Sequence, residues 1–232
     1  MMSSCRSFLA TCLPLTASVN RFAWCLIESR RLLPSYSQHG EDAWLLRQLS
    51  GTDPAGTMYV DVGGSHPMRL SNTYLLYRHG FDGVVIEPHH ELVHLHRRFR
   101  RRDVAIWAGC GSVPALQPFY VSSTSVLSSF QESWLDERRE GRHLRVDYVP
   151  VLPLDVLLTP FAERSISLLS IDAEGMDVEI LAGGIQALAR TSFLCIEAND
   201  EIAERRISNV VGGQFELARR FGCNLVWKRK ER

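Results

Sequence analysis

The segment Met58-Tyr59-Val60-Asp61-Val62-Gly63-Gly64 constrains the fold more than any other, because an apolar run ends there in an acid and a glycine pair. Such a run reads as a buried strand that delivers a tight turn at its carboxyl end, where open α/β sheets bind ligands, and the glycines let backbone approach the ligand closely. Further apolar runs stand at Val84 to Glu87, Val104 to Ala108, Ile166 to Asp172, Phe193 to Glu197 and Asn224 to Trp227, with longer amphipathic stretches between them. That alternation predicts an α/β fold with a mostly parallel sheet and helices on both faces. A chain of 232 residues with 45% hydrophobic content fills one such unit.

The organisation follows from the pattern. Residues 1–36 read as an N-terminal extension, helical or poorly ordered, and 37–232 as the domain proper. Helices are expected at Glu41 to Leu49 and at Asp177 to Ala189. The serine- and charge-rich stretch 109–150 reads as an insertion over the ligand-binding face, with a strand at Phe119 to Val121 and a helix at Gln131 to Glu140.

The residues at the end of each strand narrow the ligand. Gly64 precedes Ser65-His66-Pro67, so the dinucleotide pattern G-x-G-x-x-G is absent, which argues against a nicotinamide or flavin. The second strand closes with Ile86-Glu87-Pro88, and a carboxylate there suits the vicinal hydroxyls of a ribose. Asp103, before the third strand, is a weaker candidate for an adenine amino group. Leu168 to Gly175 ends a buried-type strand in Asp172, Ala173 and Glu174; two acids at the mouth of a sheet face the ligand cleft or else only cap the next helix.

The ordered motifs resemble the FkbM family of methyltransferases. The likeness rests on Ser37-Gln38-His39-Gly40-Glu41-Asp42, Tyr59 to Gly63, His66-Pro67, Ser71-Asn72-Thr73, Gly83 to Pro88, Leu169 to Gly175, and Ile196-Glu197. It implies a class I (Rossmann-like) methyltransferase fold, S-adenosyl-L-methionine as donor, and a hydroxyl acceptor on a sugar, glycan or natural product. Carried over by position, Asp61, Gly63 and Gly64 border the methionine part and Glu87 the ribose, with Asn72, Pro88, Asp103, Ala108 and Asp172 completing the cofactor set. Gly64 stands where the family usually has alanine. The chain also ends soon after Trp227, which suggests a sheet lacking its last antiparallel strand.

Methyl transfer to a hydroxyl needs a base within hydrogen-bond reach, and Asp172, Glu174 and His66 are the candidates, His66 being equally readable as a loop residue bonded to backbone. No metal ligand set is required, although Asp172, Glu197 and Asn199 are oxygen donors that suit a magnesium ion orienting a diol. His90-Glu91-Leu92-Val93-His94 fits the zinc-protease pattern H-E-x-x-H, but it sits on an exterior crossover helix, and a third ligand would have to come from afar, for instance Glu132. A binding module that has lost its chemistry is the remaining alternative.

Net charge is zero, so no global basic field favours a nucleic acid partner, and the run Arg97 to Arg102 reads as a solvated helix face. Six scattered cysteines with no C-x-x-C pair point to a reduced, cytoplasmic setting, and no stretch approaches a membrane span.

Overall fold

The computed structural model describes residue 25 and residues 34–122, 128–130, 143–173 and 175–231. Most of the 1–36 extension, the expected helix Gln131 to Glu140, and Glu174 lie outside the described residues. Strands β1 (Thr57–Val62), β2 (Gly83–Glu87), β3 (Val104–Trp107), β7 (Ser165–Ile171), β8 (Thr191–Glu197), β9 (Phe215–Phe221) and β10 (Asn224–Arg229) form one sheet in the order β3-β2-β1-β7-β8-β10-β9. The pairs among β3, β2, β1, β7 and β8 are parallel, and β10 runs antiparallel to both neighbours. Every residue of β1 is buried, as expected for a central strand covered on both faces.

The alternation of side chains along the strands divides the core in two. Met58, Val60, Val62, Leu169 and Ile171 face helices α5 (Asp177–Ala182), α6 (Ile185–Ala189) and α7 (Glu201–Val211). Tyr59, Leu168 and Phe193 face the other way, against α1 (Glu41–Gln48) and α2 (Tyr74–Arg78). Helix α3 (His90–Phe99) extends that second layer with Leu92 and Leu95.

The expected strands all form, and the edge carries a correction: the stretch Asn224 to Trp227 is itself the antiparallel strand β10, so that strand is not lacking, and the strand absent from the sequence reading is its outer neighbour β9. Strand β9 escapes a reading by hydrophobicity because only Phe215 is buried and Glu216 to Arg220 are exposed. A charged outer strand guards the sheet edge against further pairing, and that same charge hides it. Gly222, at φ +57, makes the two-residue turn with Cys223 that joins β9 to β10.

Two other expectations are revised. The helix foreseen over Asp177 to Ala189 is split into α5 and α6 at Gly183-Gly184, where any side chain at Gly183 would collide with the Gly111 carbonyl of β4 (Gly109–Gly111). The basic run is not simply solvated: Arg100 is fully buried, Arg97 donates to the Ala105 carbonyl, and Arg102 donates to the Tyr77 carbonyl while stacking on its ring. Strand β4 belongs to a second, three-stranded sheet with β5 (Ala115–Ser122) and β6 (His143–Pro153), in the order β4-β6-β5. The short helix α4 (Leu154–Leu157) leads from β6 back to the main sheet. Among the described residues no helix is long and apolar enough to cross a membrane, and the buried Cys110 and Cys195 are free thiols.

Candidate active site

A cleft opens at the carboxyl ends of the parallel strands, and β1 forms its floor. Beyond Val62 the strands part: the Gly63 amide donates to the Ile86 carbonyl of β2 at 2.9 Å, and the Asp172 amide donates to the Val62 carbonyl at 3.0 Å. Gly63 bridges the two in a left-handed conformation, φ +76, so close to the Asp172 carbonyl that a Cβ would overlap it. Only glycine satisfies both demands. At Gly64 a Cβ would run into the Val85 side chain, so the alanine usual at this position would require Val85 to move. Asp61, Gly63, Gly64, Asn72, Glu87, Pro88, Ala108 and Asp172 all line the cleft.

Glu87 ends β2 almost completely buried, its two oxygens accepting the backbone amides of Ser65 and His89 at 2.7 Å each. Burial pushes its carboxyl up to about 7, against the pull of those two amides and with a further push from Asp61. Asp61 is handled differently. It accepts the Thr73 hydroxyl at 2.5 Å and lies 4.0 Å from the Arg100 guanidinium. Burial raises its pKa, and Arg100 and Thr73 oppose the rise. Arg100 is the hub of this layer: Nε donates to Asp103 at 2.7 Å, and Nη2 donates to the Tyr59 and Thr73 hydroxyls at 2.8 and 2.9 Å.

Two of the sequence candidates lie elsewhere. Asp103 is enclosed by Arg100, by the Tyr59 hydroxyl at 2.6 Å and by the Gly83 amide at 3.1 Å. Gly83 begins β2, so Asp103 sits at the opposite end of the sheet from the cleft and pins strand starts together. His66 is buried in the loop after Gly64, where Nδ1 accepts the Met68 and Arg69 amides at 3.2 and 3.0 Å, and it does not line the cleft. Asp172 stands at the cleft mouth, exposed to solvent. Glu174 is outside the described residues.

The two histidines of the protease pattern pack on one another, and Glu132, the distant third ligand considered for it, lies outside the described residues. His90 and His94 stack edge to face at 4.4 Å, with Trp107 5.4 Å from His90. Among the described residues no three His, Cys, Asp or Glu side chains are grouped to hold a metal ion. Of the magnesium candidates, Asp172 and Glu197 line the cleft and Asn199 does not. Gln38, Leu70 and Asn224 also line it, and the sequence alone assigned them no site role. The signal for Gln38 lay in Ser37 to Asp42, where Asp42 accepts Ser35, Tyr36 and Ser37 and folds the segment onto the cleft. Asn224 offered no such signal, because its position depends on pairing opposite Glu197.

A family model described as Methyltransferase FkbM domain matches residues 61–215. No curated protein matches the chain significantly. Among solved structures, a methyltransferase FkbM from Methylobacillus flagellatus is similar over 93% of this chain, with 13% identity and a TM-score of 0.50. The chain spans 60% of that protein's length. An O-methyltransferase from Bacillus cereus in complex with SAH aligns over 97% of this chain and 94% of its own, at 11% identity and a TM-score of 0.47. A putative RNA methyltransferase from Pyrococcus horikoshii aligns over 92% and 100%, at 9% identity and a TM-score of 0.44.

Proposed function

The chain belongs to the FkbM methyltransferase domain family, and from that premise we propose that residues 37–232 transfer the methyl group of S-adenosylmethionine to a hydroxyl oxygen of a sugar, glycan or natural product. The single observation that carries the reading is Glu87: a buried carboxylate facing the cleft, served by two amides and by no cation among the described residues. Burying an uncompensated acid is costly, and a ribose diol donating two hydrogen bonds would offset that cost.

The residues present fit the donor. Backbone at Gly63 and Gly64, where side chains would collide with their surroundings, leaves room for the amino-acid end of a ligand beside Asp61. Pro88, Leu92 and Ala108 offer an apolar wall beyond Glu87 for a flat base. When bound, the donor supplies a methyl group on a positively charged sulfur, open to in-line displacement. The protein's part is to align the acceptor oxygen, a task able to supply several kcal/mol by itself. We assign to Asp172 the removal of the acceptor proton: its backbone amide ties it to the end of β1, and it lines the cleft. His66 is left out of the chemistry because its Nδ1 is already committed to backbone.

Titration calorimetry with S-adenosylhomocysteine tests the cofactor reading: one site per chain, weakened about tenfold or more in Glu87→Ala, since hydrogen bonds to charged groups contribute about 1.5–3 kcal/mol. Unchanged affinity in that variant would sink the assignment. Transfer of labelled methyl from the donor to a glycan or natural-product extract tests the reaction, and label appearing only on acceptors without hydroxyl groups would exclude the oxygen chemistry.

A further inference from the structure

We infer that the methyl acceptor is selected by Gln38, Glu197 and Asn224, clamped together by Glu41, and that this subsite takes an uncharged polyol through adjacent hydroxyls; the inference rests on the cofactor reading above. The direction of the donor across the sheet sets the place of the acceptor. Glu87 ends β2 and Asp172 follows β7, on opposite sides of β1 in the strand order. A ligand with its ribose at Glu87 and its reactive end at Asp172 lies across β1. Continuing past Glu87 leads to β3 and the second sheet, where Ala108, Phe119 and Phe130 line the cleft. Continuing past Asp172 leads to β8 and β10, where Glu197 and Asn224 line it.

The two ends differ in chemistry. The β3 end carries two aromatic rings, Phe119 and Phe130 5.0 Å apart, beside the Ser128 and Ser129 hydroxyls and no charged side chain among the described lining residues, which suits a nucleobase. The β8 end carries two amides and two carboxylates. Ile171 pairs with Ile196, so Asp172 and Glu197 follow as neighbours, and Asn224 pairs directly with Glu197. Acceptors on adjacent strands stand about 5 Å apart, a spacing that two vicinal hydroxyls can bridge. Every charged side chain described at this end of the cleft is a carboxylate, which disfavours a phosphorylated or sulfated acceptor.

A buried carboxylate holds the subsite together. Glu41 is fully buried, accepts the His39 amide at 2.8 Å on one oxygen, and accepts the Asn224 side-chain amide on the other. It therefore fixes the turn presenting Gln38 to the hairpin presenting Asn224, which places Glu41 as a positioning residue. Leu70 at the rim adds an apolar contact: it is 40% exposed and held at φ +54, a left-handed conformation unusual for leucine. An exposed apolar side chain on a cleft that also carries amides matches the mixed faces of a sugar ring. This assignment moves acceptor choice away from residues 109–150, whose described part walls the opposite end.

The test compares Gln38→Leu and Glu197→Gln with the wild-type chain. Expected is S-adenosylhomocysteine affinity within about twofold of wild type, which also reports correct folding, together with loss of acceptor binding. Phe130→Ala should do the reverse and weaken S-adenosylhomocysteine about tenfold. Acceptor binding is read by hydrogen exchange on S-adenosylhomocysteine-saturated protein, with methyl α-mannopyranoside and mannose 6-phosphate as probes. Protection at 37–41 and 222–229 by the methyl glycoside in the wild type, and not in the two variants, is the supporting result. Stronger protection by the phosphate, protection by neither probe, or tenfold loss of S-adenosylhomocysteine affinity in Gln38→Leu overturns the inference. Failure of the wild type to bind S-adenosylhomocysteine at all is a separate result, which refutes the cofactor reading itself.

Discussion

Glu87 allows a quantitative test because its acidity and its proposed partner pull in opposite directions. Burial lifts its carboxyl from the ordinary 4.5 to about 7. Ionised, it accepts two ribose hydroxyls; protonated, it keeps one acceptor oxygen and gains a donor that has no place in the diol contact. If the ligand binds only the ionised form, apparent affinity scales with that fraction, roughly 0.9 at pH 8 and roughly 0.1 at pH 6. The dissociation constant for S-adenosylhomocysteine should therefore rise about tenfold between those pH values. Binding near pH 7 should release about half a proton, visible as a dependence of calorimetric heat on buffer ionisation enthalpy. The stability of the free protein carries the opposite sign. Below about pH 4.5 the group is protonated whether folded or unfolded and costs nothing; between about 4.5 and 7 the unfolded chain gains by ionising, until the fold is penalised by about 3 kcal/mol. Glu87→Gln should remove both pH effects while weakening binding at pH 8. An affinity that is flat from pH 6 to 8, with no buffer dependence, would refute the ionised-carboxylate contact.

Three further outcomes are expected. Arg100→Leu leaves Asp103 buried without its cation, a loss of about 3–5 kcal/mol or roughly 6–20 °C in Tm, partly recovered in Arg100→Leu/Asp103→Asn and shrinking as acid protonates Asp103; calorimetric unfolding at pH 7 and 5 checks it, and no recovery in the double variant would contradict it. Gly63→Ala meets both a left-handed backbone, about 1–2 kcal/mol, and the Asp172 carbonyl, so strand ends must separate; wild-type Tm together with wild-type S-adenosylhomocysteine affinity would disprove the close approach. Asp172→Asn should lower kcat about 100-fold in a labelled-methyl assay, and full turnover would put the base elsewhere.

The parallel strands were legible because each is buried on both faces and reads as an unbroken apolar run; Met58 to Val62 and Ile166 to Ile171 show it most clearly. The carboxylates ending them were legible for the same reason, since an acid closing such a run stands at the mouth of the sheet. What failed depended on neighbours distant in sequence. Strand β9 is specified by the backbone edge that β10 offers it rather than by its own hydrophobicity. The need for glycine at 183 comes from Gly111, and Asp103 is bonded to Arg100 and Tyr59 away from the cleft. The histidine of His66-Pro67 stood in the right motif, but the fold had already used its ring nitrogen to order the loop.

Asp61 and Glu87 show how such cases separate once the structure is known. Both are strand carboxylates, both nearly inaccessible, and both lie on the cleft. A buried acid must be compensated by something, and here the compensation differs in kind. Asp61 is answered within the chain by Thr73 and by Arg100, whose other bonds reach Asp103, Tyr59 and the loop at Pro67; it is one member of a network that would persist with no ligand present. Glu87 has two amides and no cation among the described residues, and burial lifts its carboxyl to about 7. An acid whose charge the protein has balanced maintains the scaffold. One left unbalanced beside a glycine cradle keeps its binding capacity for a partner from outside, so substitutions should separate the two: changes at Arg100 act chiefly on Tm, and changes at Glu87 chiefly on ligand affinity and its pH dependence.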